Sequence, residues 1–229
     1  VVMPKYKNIP KKYIDKMEYL GYIYVDVSWR HQFCAVLKLE QDGVVYYFLD
    51  NEYYFGRDGY YGYDDEAERV AFFCKAIIEF LPVVDFKPDI IHCNDWQTGV
   101  VSILLCAHYR HLEFYRDIKT VYTIHNLKYQ GVFPKEVLGE LLGLSWEYFT
   151  ADRIEFYDKV NYLKAGIAYS DIITTVSKTY AEEIKTDFYG ENLNSILNAR
   201  SQDLYGILNG IDMERNDPAT DERIFANYS

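Results

Sequence analysis

From about Pro82 onward, short apolar runs of strand character alternate with longer helix-patterned stretches, and polar, chemically capable side chains gather where the runs end. Alternation of this kind brings right-handed crossovers and a largely parallel sheet with helices on its faces, so the predicted fold class is α/β. The strands are Ile90 to Cys93, Val121 to Ile124, Ile172 to Val176 and Tyr205 to Leu208. Helices are predicted from about Thr98 to Tyr109, between Pro134 and Ala168, and from Lys178 to about Thr186. Open sheets of this class bind ligands beyond the carboxyl ends of their strands. There the chain carries His92-Cys93-Asn94-Asp95-Trp96 after one strand and His125-Asn126-Leu127-Lys128-Tyr129-Gln130-Gly131 after the next.

The first third reads differently. Gly21 to Val27 is β-branched and aromatic enough for a strand. Phe33–Glu40 and Val44–Leu49 flank Gln41-Asp42-Gly43 as a hairpin whose glycine supplies the positive φ of the turn. An aromatic, glycine-punctuated loop spans residues 51–63 and leads to Asp64, the predicted N-cap of a long amphipathic helix with Val70, Phe73, Ile77 and Phe80 on its apolar face.

With 229 residues and 49% hydrophobic content, the chain is long enough for one large α/β domain. A formal net charge of -11 repels nucleic acid and anionic membranes and favours an uncharged polar partner. Cys34, Cys74, Cys93 and Cys106 form no C-x-x-C pair and read as reduced thiols, which points to a cytoplasmic setting. The longest apolar run, Val100 to Ala107, is far shorter than the roughly 20 residues of a bilayer span. The opening Val1-Val2-Met3-Pro4 resembles the tail of a strand, so the chain is expected to start partway through a domain, and a further segment is expected after Ser229.

The candidate residues follow from position and chemistry. Asp95 at a strand end can accept hydrogen bonds from ligand hydroxyls, and the neighbouring Trp96 can offer a ring face to a sugar; the alternative is an N-cap with the indole in the core. His125 and Asn126 can donate to and accept from a polyhydroxy ligand without a net charge, or serve only structure. Asn209-Gly210 follows a third strand and is of interest only because it shares that sheet edge. His108 and His111 lack a third ligand, so no metal is expected. Most of the 24 tyrosines are expected to pack, with a few left as sugar platforms.

In combination these stretches become specific. The two motifs above, Thr174-Thr175-Val176-Ser177 running into Tyr180-Ala181-Glu182-Glu183-Ile184, Gly206-Ile207-Leu208-Asn209-Gly210-Ile211-Asp212, and Arg57–Gly62 with Asp65–Arg69 resemble, in order and spacing, the bacterial glycogen and plant starch synthases that use ADP-glucose. The resemblance covers essentially the whole chain. It implies a retaining glucosyltransferase of two Rossmann-like domains (the GT-B arrangement), extending α-1,4-glucans, with residues 1–229 as most of the N-terminal, acceptor-side domain. It further implies Asp95 and His125 as catalytic residues, Trp96, Asn126, Asn209 and Tyr61 as substrate-binding residues, α-1,4-glucan and ADP-glucose as partners, and neither a cofactor nor a metal. The family's Lys-x-Gly-Gly loop is expected upstream of Val1, and its nucleotide-binding domain after the present C-terminus, so little turnover is expected of this piece alone. Asn216 stands where the family usually has tryptophan. A sucrose- or trehalose-type transferase and a glucan-binding module without chemistry are the competing readings.

Overall fold

The computed structural model describes residues 1–228 and resolves the chain into three sheets. The first is a meander. Strands β2 (Glu18–Val27), β3 (Arg30–Gln41) and β4 (Val44–Asp50) pair antiparallel, and β1 (Val2–Pro4) adds in parallel to β4. The Asp42-Gly43 turn closes the β3–β4 hairpin with both residues at positive φ, the combination that matches the strand twist. Two small helices border this sheet, α1 (Lys11–Ile14) and α2 (Glu52–Phe55), the latter capped by the side chain of Asn51 accepting from the Tyr54 N–H.

Helix α3 (Glu66–Glu79) joins this layer to the next, and β2 packs on it. Val70, Phe73, Ile77 and Phe80 are buried as their spacing predicts, yet almost the whole circumference of α3 is covered, including Arg69 and Lys75. Lys75 satisfies its ammonium on the Asp26 carbonyl at 2.9 Å, and burial holds its pKa below the usual lysine value. The N-cap is Asp65 rather than Asp64, and it makes no side-chain cap because its carboxylate is already taken by Arg57.

The second sheet is fully parallel, in the order β11-β10-β6-β5: Leu204–Gly206, Ile172–Thr175, Lys119–Ile124 and Ile90–Asn94. All four predicted strands are present, with the last displaced to Leu204–Gly206. Thr123 and Thr174 face each other across β6 and β10 with their hydroxyls 2.6 Å apart, and His92 Nε2 lies 2.6 Å from Thr123 Oγ1, so a polar rung crosses three strands. Burial first, and the nearby His125 second, lower the His92 pKa and favour its neutral form.

The predicted helix over 98–109 is instead a 3₁₀ turn at Trp96–Thr98, the short α4 (Val101–Leu104) and a π turn at Leu105–Tyr109. Close packing explains its entry, since a Cβ at Gly99 would lie 2.1 Å from the Tyr162 carbonyl oxygen. Between Pro134 and Ala168 the chain holds less helix than expected: α5 (Val137–Glu140) and α6 (Tyr162–Tyr169) flank β8 (Glu155–Phe156) and β9 (Lys159–Asn161), which join β7 (Val132–Pro134), ahead of α5, in a small third sheet. Helices α7 (Lys178–Glu183) and α8 (Asn194–Ala199) complete the second layer. No helix among the described residues is long and apolar enough to cross a membrane.

One core contact is incomplete. Among the described residues, Tyr122 Oη is the buried side-chain oxygen without a protein hydrogen-bond partner, and burial raises its pKa well above the tyrosine range. Tyr122→Phe removes that unsatisfied group while keeping the ring. Unchanged stability, or a gain of about 1 kcal/mol, is expected in urea unfolding; a loss larger than that would show the hydroxyl to be paired.

Candidate active site

The carboxyl ends of β5 and β6 meet at a corner built by Asn94, Asp95 and His125. Asp95 continues the ladder by donating its N–H to the Thr123 carbonyl at 2.9 Å, then turns with φ 55°. With ψ at −177° this is not the left-handed helical well that aspartate readily visits but a sparsely populated, strained conformation normally left to glycine. Its carboxylate caps nothing in the following turn; Oδ1 accepts the backbone N–H of His125 at 2.8 Å. The imidazole is held separately, with Nε2 lying 2.9 Å from Asn94 Oδ1. Thr98 fixes the base of the corner by accepting the Asn94 N–H at 2.6 Å and donating to the Asn94 carbonyl at 2.8 Å.

The loop from 125 to 131 divides into scaffold and free groups. Leu127 is fully buried, and its N–H donates to Tyr180 Oη at 3.3 Å, which ties in the start of α7. Gln130 crosslinks two segments by accepting from Asn161 Nδ2 at 2.7 Å and donating to the Glu191 carbonyl at 3.0 Å. Gly131 sits at φ 63° against the indole of Trp96. His125, Asn126, Lys128 and Tyr129 remain exposed. Asn126 Oδ1 accepts the Lys128 N–H at 3.0 Å, which rounds the loop and commits the oxygen rather than the NH₂.

Trp96 requires a correction to its expected role. It is only 8% exposed, tilted against Phe133 and covered by Gly131, so its face is spent on the core and is not open for a sugar to stack upon. An exposed ring beside it is Tyr61, 63% accessible, whose hydroxyl accepts from Gln97 Nε2 at 3.0 Å and so brings the aromatic loop to the corner. Between Glu66, Trp96 and residues 128–133 lies a recess of about 380 Å³.

Asn209 lies on the same side of the sheet but not beside the others. Its strand, β11, is separated from β6 by β10, and the loop after it is exposed. At a strand spacing of about 4.8 Å, two strands put β11 about 10 Å from β6. Only a ligand lying along the sheet edge would touch both. The expected adjacency of strands therefore holds for those that lead to Asp95 and His125, while the strand that precedes Asn209 is one further removed. Farther on, Asn216 donates from Nδ2 to the Asp212 carbonyl at 2.8 Å and closes that turn.

Two groups escaped the sequence reading. Asn94 was visible only as part of a motif, although its place next to Asp95 is the signal. Arg57 organises the Tyr61 loop: it forks onto both Asp65 oxygens at 2.6 Å, and its guanidinium lies 4.8 and 4.9 Å from the Tyr53 and Tyr63 ring centres. That hydrogen-bonded fork lowers the Asp65 pKa. Its stabilisation is complete above the unfolded carboxylate value, about 3.9, and disappears as the pH falls through the lower folded value. Arg57→Lys loses the fork, and a loss of about 1–2 kcal/mol is expected, read by urea unfolding at neutral pH and by faster proteolysis within 56–65. Equal cleavage rates would mean the loop is held by other contacts.

A parallel sheet with catalytic-type side chains at its carboxyl edge and a flanking aromatic loop is the architecture of one half of a GT-B glycosyltransferase. The chain belongs to the starch synthase catalytic-domain family, whose model matches residues 1–199. It is 52% identical to the glycogen synthase of Desulforamulus reducens and 53% identical to that of Clostridium novyi, over 100% of this chain and 48% of each relative. The catalytic domain of starch synthase IV from Arabidopsis thaliana, bound to ADP and acarbose, superposes with a TM-score of 0.86 at 32% identity, covering 99% of this chain and 47% of that one. The chain thus spans about half the length of the relatives it matches.

Proposed function

We propose that this chain forms the acceptor-side half of a retaining glucosyltransferase that moves glucose from ADP-glucose to the non-reducing end of an α-1,4-glucan. The observation that carries the reading is the corner itself, with Asp95 fastened to the backbone of His125 and Tyr61 hydrogen-bonded through Gln97 next to it. The glycogen synthase relatives, and the ADP and acarbose bound by the Arabidopsis domain, support the choice of donor and acceptor.

In this reading His125 and Asp95 line the glucose pocket, Asn126 and Tyr61 contact the glucan, and Asn209 reaches the same ligand from β11. No side chain acts as nucleophile. The departing diphosphate assists the incoming hydroxyl on the same face of the sugar, while the protein supplies orientation and stabilises developing charge. The donor is a substrate, and the reading assigns no resident metal or cofactor. A cytoplasmic setting belongs to the same proposal, supported by four cysteines free of disulfides.

The test joins residues 1–229 to the complementary half of the Clostridium novyi enzyme and follows ADP release with glycogen as acceptor. Activity that falls in His125→Ala while retention in glycogen-containing gels persists supports the transferase reading. Retention without any turnover of the chimera, given a folded product, favours a glucan-binding module instead.

A further inference from the structure

In a regular strand, consecutive side chains point to opposite faces. Asn94 and Asp95 are consecutive, yet both reach residue 125, one to its ring and the other to its backbone. The positive φ at Asp95 breaks the alternation and turns its carboxylate toward the end of β6, the side on which the Asn94 amide already lies. Residue 125 is therefore gripped at two points, and the grip on the ring has a chemical consequence. An amide oxygen can only accept. With Asn94 Oδ1 facing Nε2, the neutral imidazole carries its proton on Nε2 and leaves Nδ1 as a lone-pair acceptor.

We propose that Asn94 is a positioning residue that fixes the Nε2–H tautomer of His125, so that the ring meets a ligand hydroxyl as an acceptor through Nδ1. The meaning for sugar binding rests on the transferase reading above, whereas the tautomer itself does not. Neighbouring contacts agree with the assignment. Thr98 holds the Asn94 backbone N–H and carbonyl, which fixes the point from which the amide reaches the ring. His92, the other histidine at this edge, is engaged with Thr123 and does not compete for Asn94.

The experiment is a long-range proton–nitrogen correlation of the imidazoles in the ¹⁵N-labelled 229-residue chain, at about pH 8, where an ordinary imidazole is neutral. His125→Gln identifies the His125 signals among those of the five histidines. The expected spectrum shows one His125 species protonated on Nε2. In Asn94→Ala the two ring nitrogen resonances shift toward each other as both tautomers become populated, and Asn94→Asp, which keeps an acceptor oxygen in place, restores the wild-type pattern. A wild-type ring protonated on Nδ1, or an Asn94→Ala spectrum identical to wild type, overturns the assignment. The wild-type measurement decides the first point even if a variant fails to fold. A wild-type chain that shows the Nε2-protonated ring but is not retained by glycogen would count against the glucan reading and leave the tautomer standing.

Discussion

Gly131→Ala is expected to destabilise the chain by about 2–5 kcal/mol. Two costs add. An L residue at φ 63° carries a backbone penalty of about 1–2 kcal/mol, and the new methyl would lie 2.3 Å from the Trp96 ring, overpacking worth about 1–3 kcal/mol. Relief by moving the indole is restricted, because Trp96 is wedged against Phe133 and the following Gly99 is pressed on the Tyr162 carbonyl. The strain therefore passes to the 125–131 loop, whose end is pinned where the Gly131 carbonyl accepts the Tyr162 N–H at 3.0 Å. Urea unfolding should show the loss, and the Trp96 fluorescence should shift to the red as the indole becomes wetter. A variant with a wild-type midpoint and spectrum would mean that loop and indole separate freely, and that Gly131 is no more than a turn residue.

The second large effect concerns the carboxylate at the strand end. Asp95→Ala leaves the exposed His125 N–H to water, at a cost of about 0.5–1.5 kcal/mol, and also removes the charge from the corner. In the chimeric synthase, activity is expected to fall by about 10²–10³-fold, the scale on which preorganised electrostatic groups act. Asp95→Asn separates the two roles. Its amide oxygen can still accept from His125, and asparagine has the shape of aspartate and adds no backbone strain that Asp95 does not already carry, so the fold should be close to wild type while activity stays low. Should Asp95→Asn turn over like wild type, the negative charge has no part in the reaction and Asp95 serves only to fasten the loop.

The parts of this molecule read correctly from its sequence are those dictated by local periodicity and turn chemistry. Four parallel strands, the Asp42-Gly43 hairpin and the apolar stripe of α3 all fall in that group. So does the pairing of Asp95 with His125, because two parallel strands that are neighbours in the sheet must end side by side. What escaped depends on contacts made from far away. Trp96 has the same composition signal whether it meets solvent or Gly131, and only the fold decides between them. The stretch 98–109 has helical spacing throughout, but tight packing at Gly99 and a π turn divide it. Asn209 was placed on the correct side of the sheet, while its distance from His125 depended on β10 inserting between their strands. Asp65 could not be distinguished from Asp64 as the cap without knowing where Arg57 would reach.

The polar rung and the corner join residues distant in the chain: Thr123 and Thr174 are 51 positions apart, and Asp95 and His125 are 30. Loop closure on that scale must come before any of these contacts can form. A partly formed chain, even one with every helix in place, thus has no corner to offer. Competence to hold a ligand there arrives late in folding and disappears early in unfolding, which makes ligand retention a more sensitive gauge of an intact second sheet than helix content.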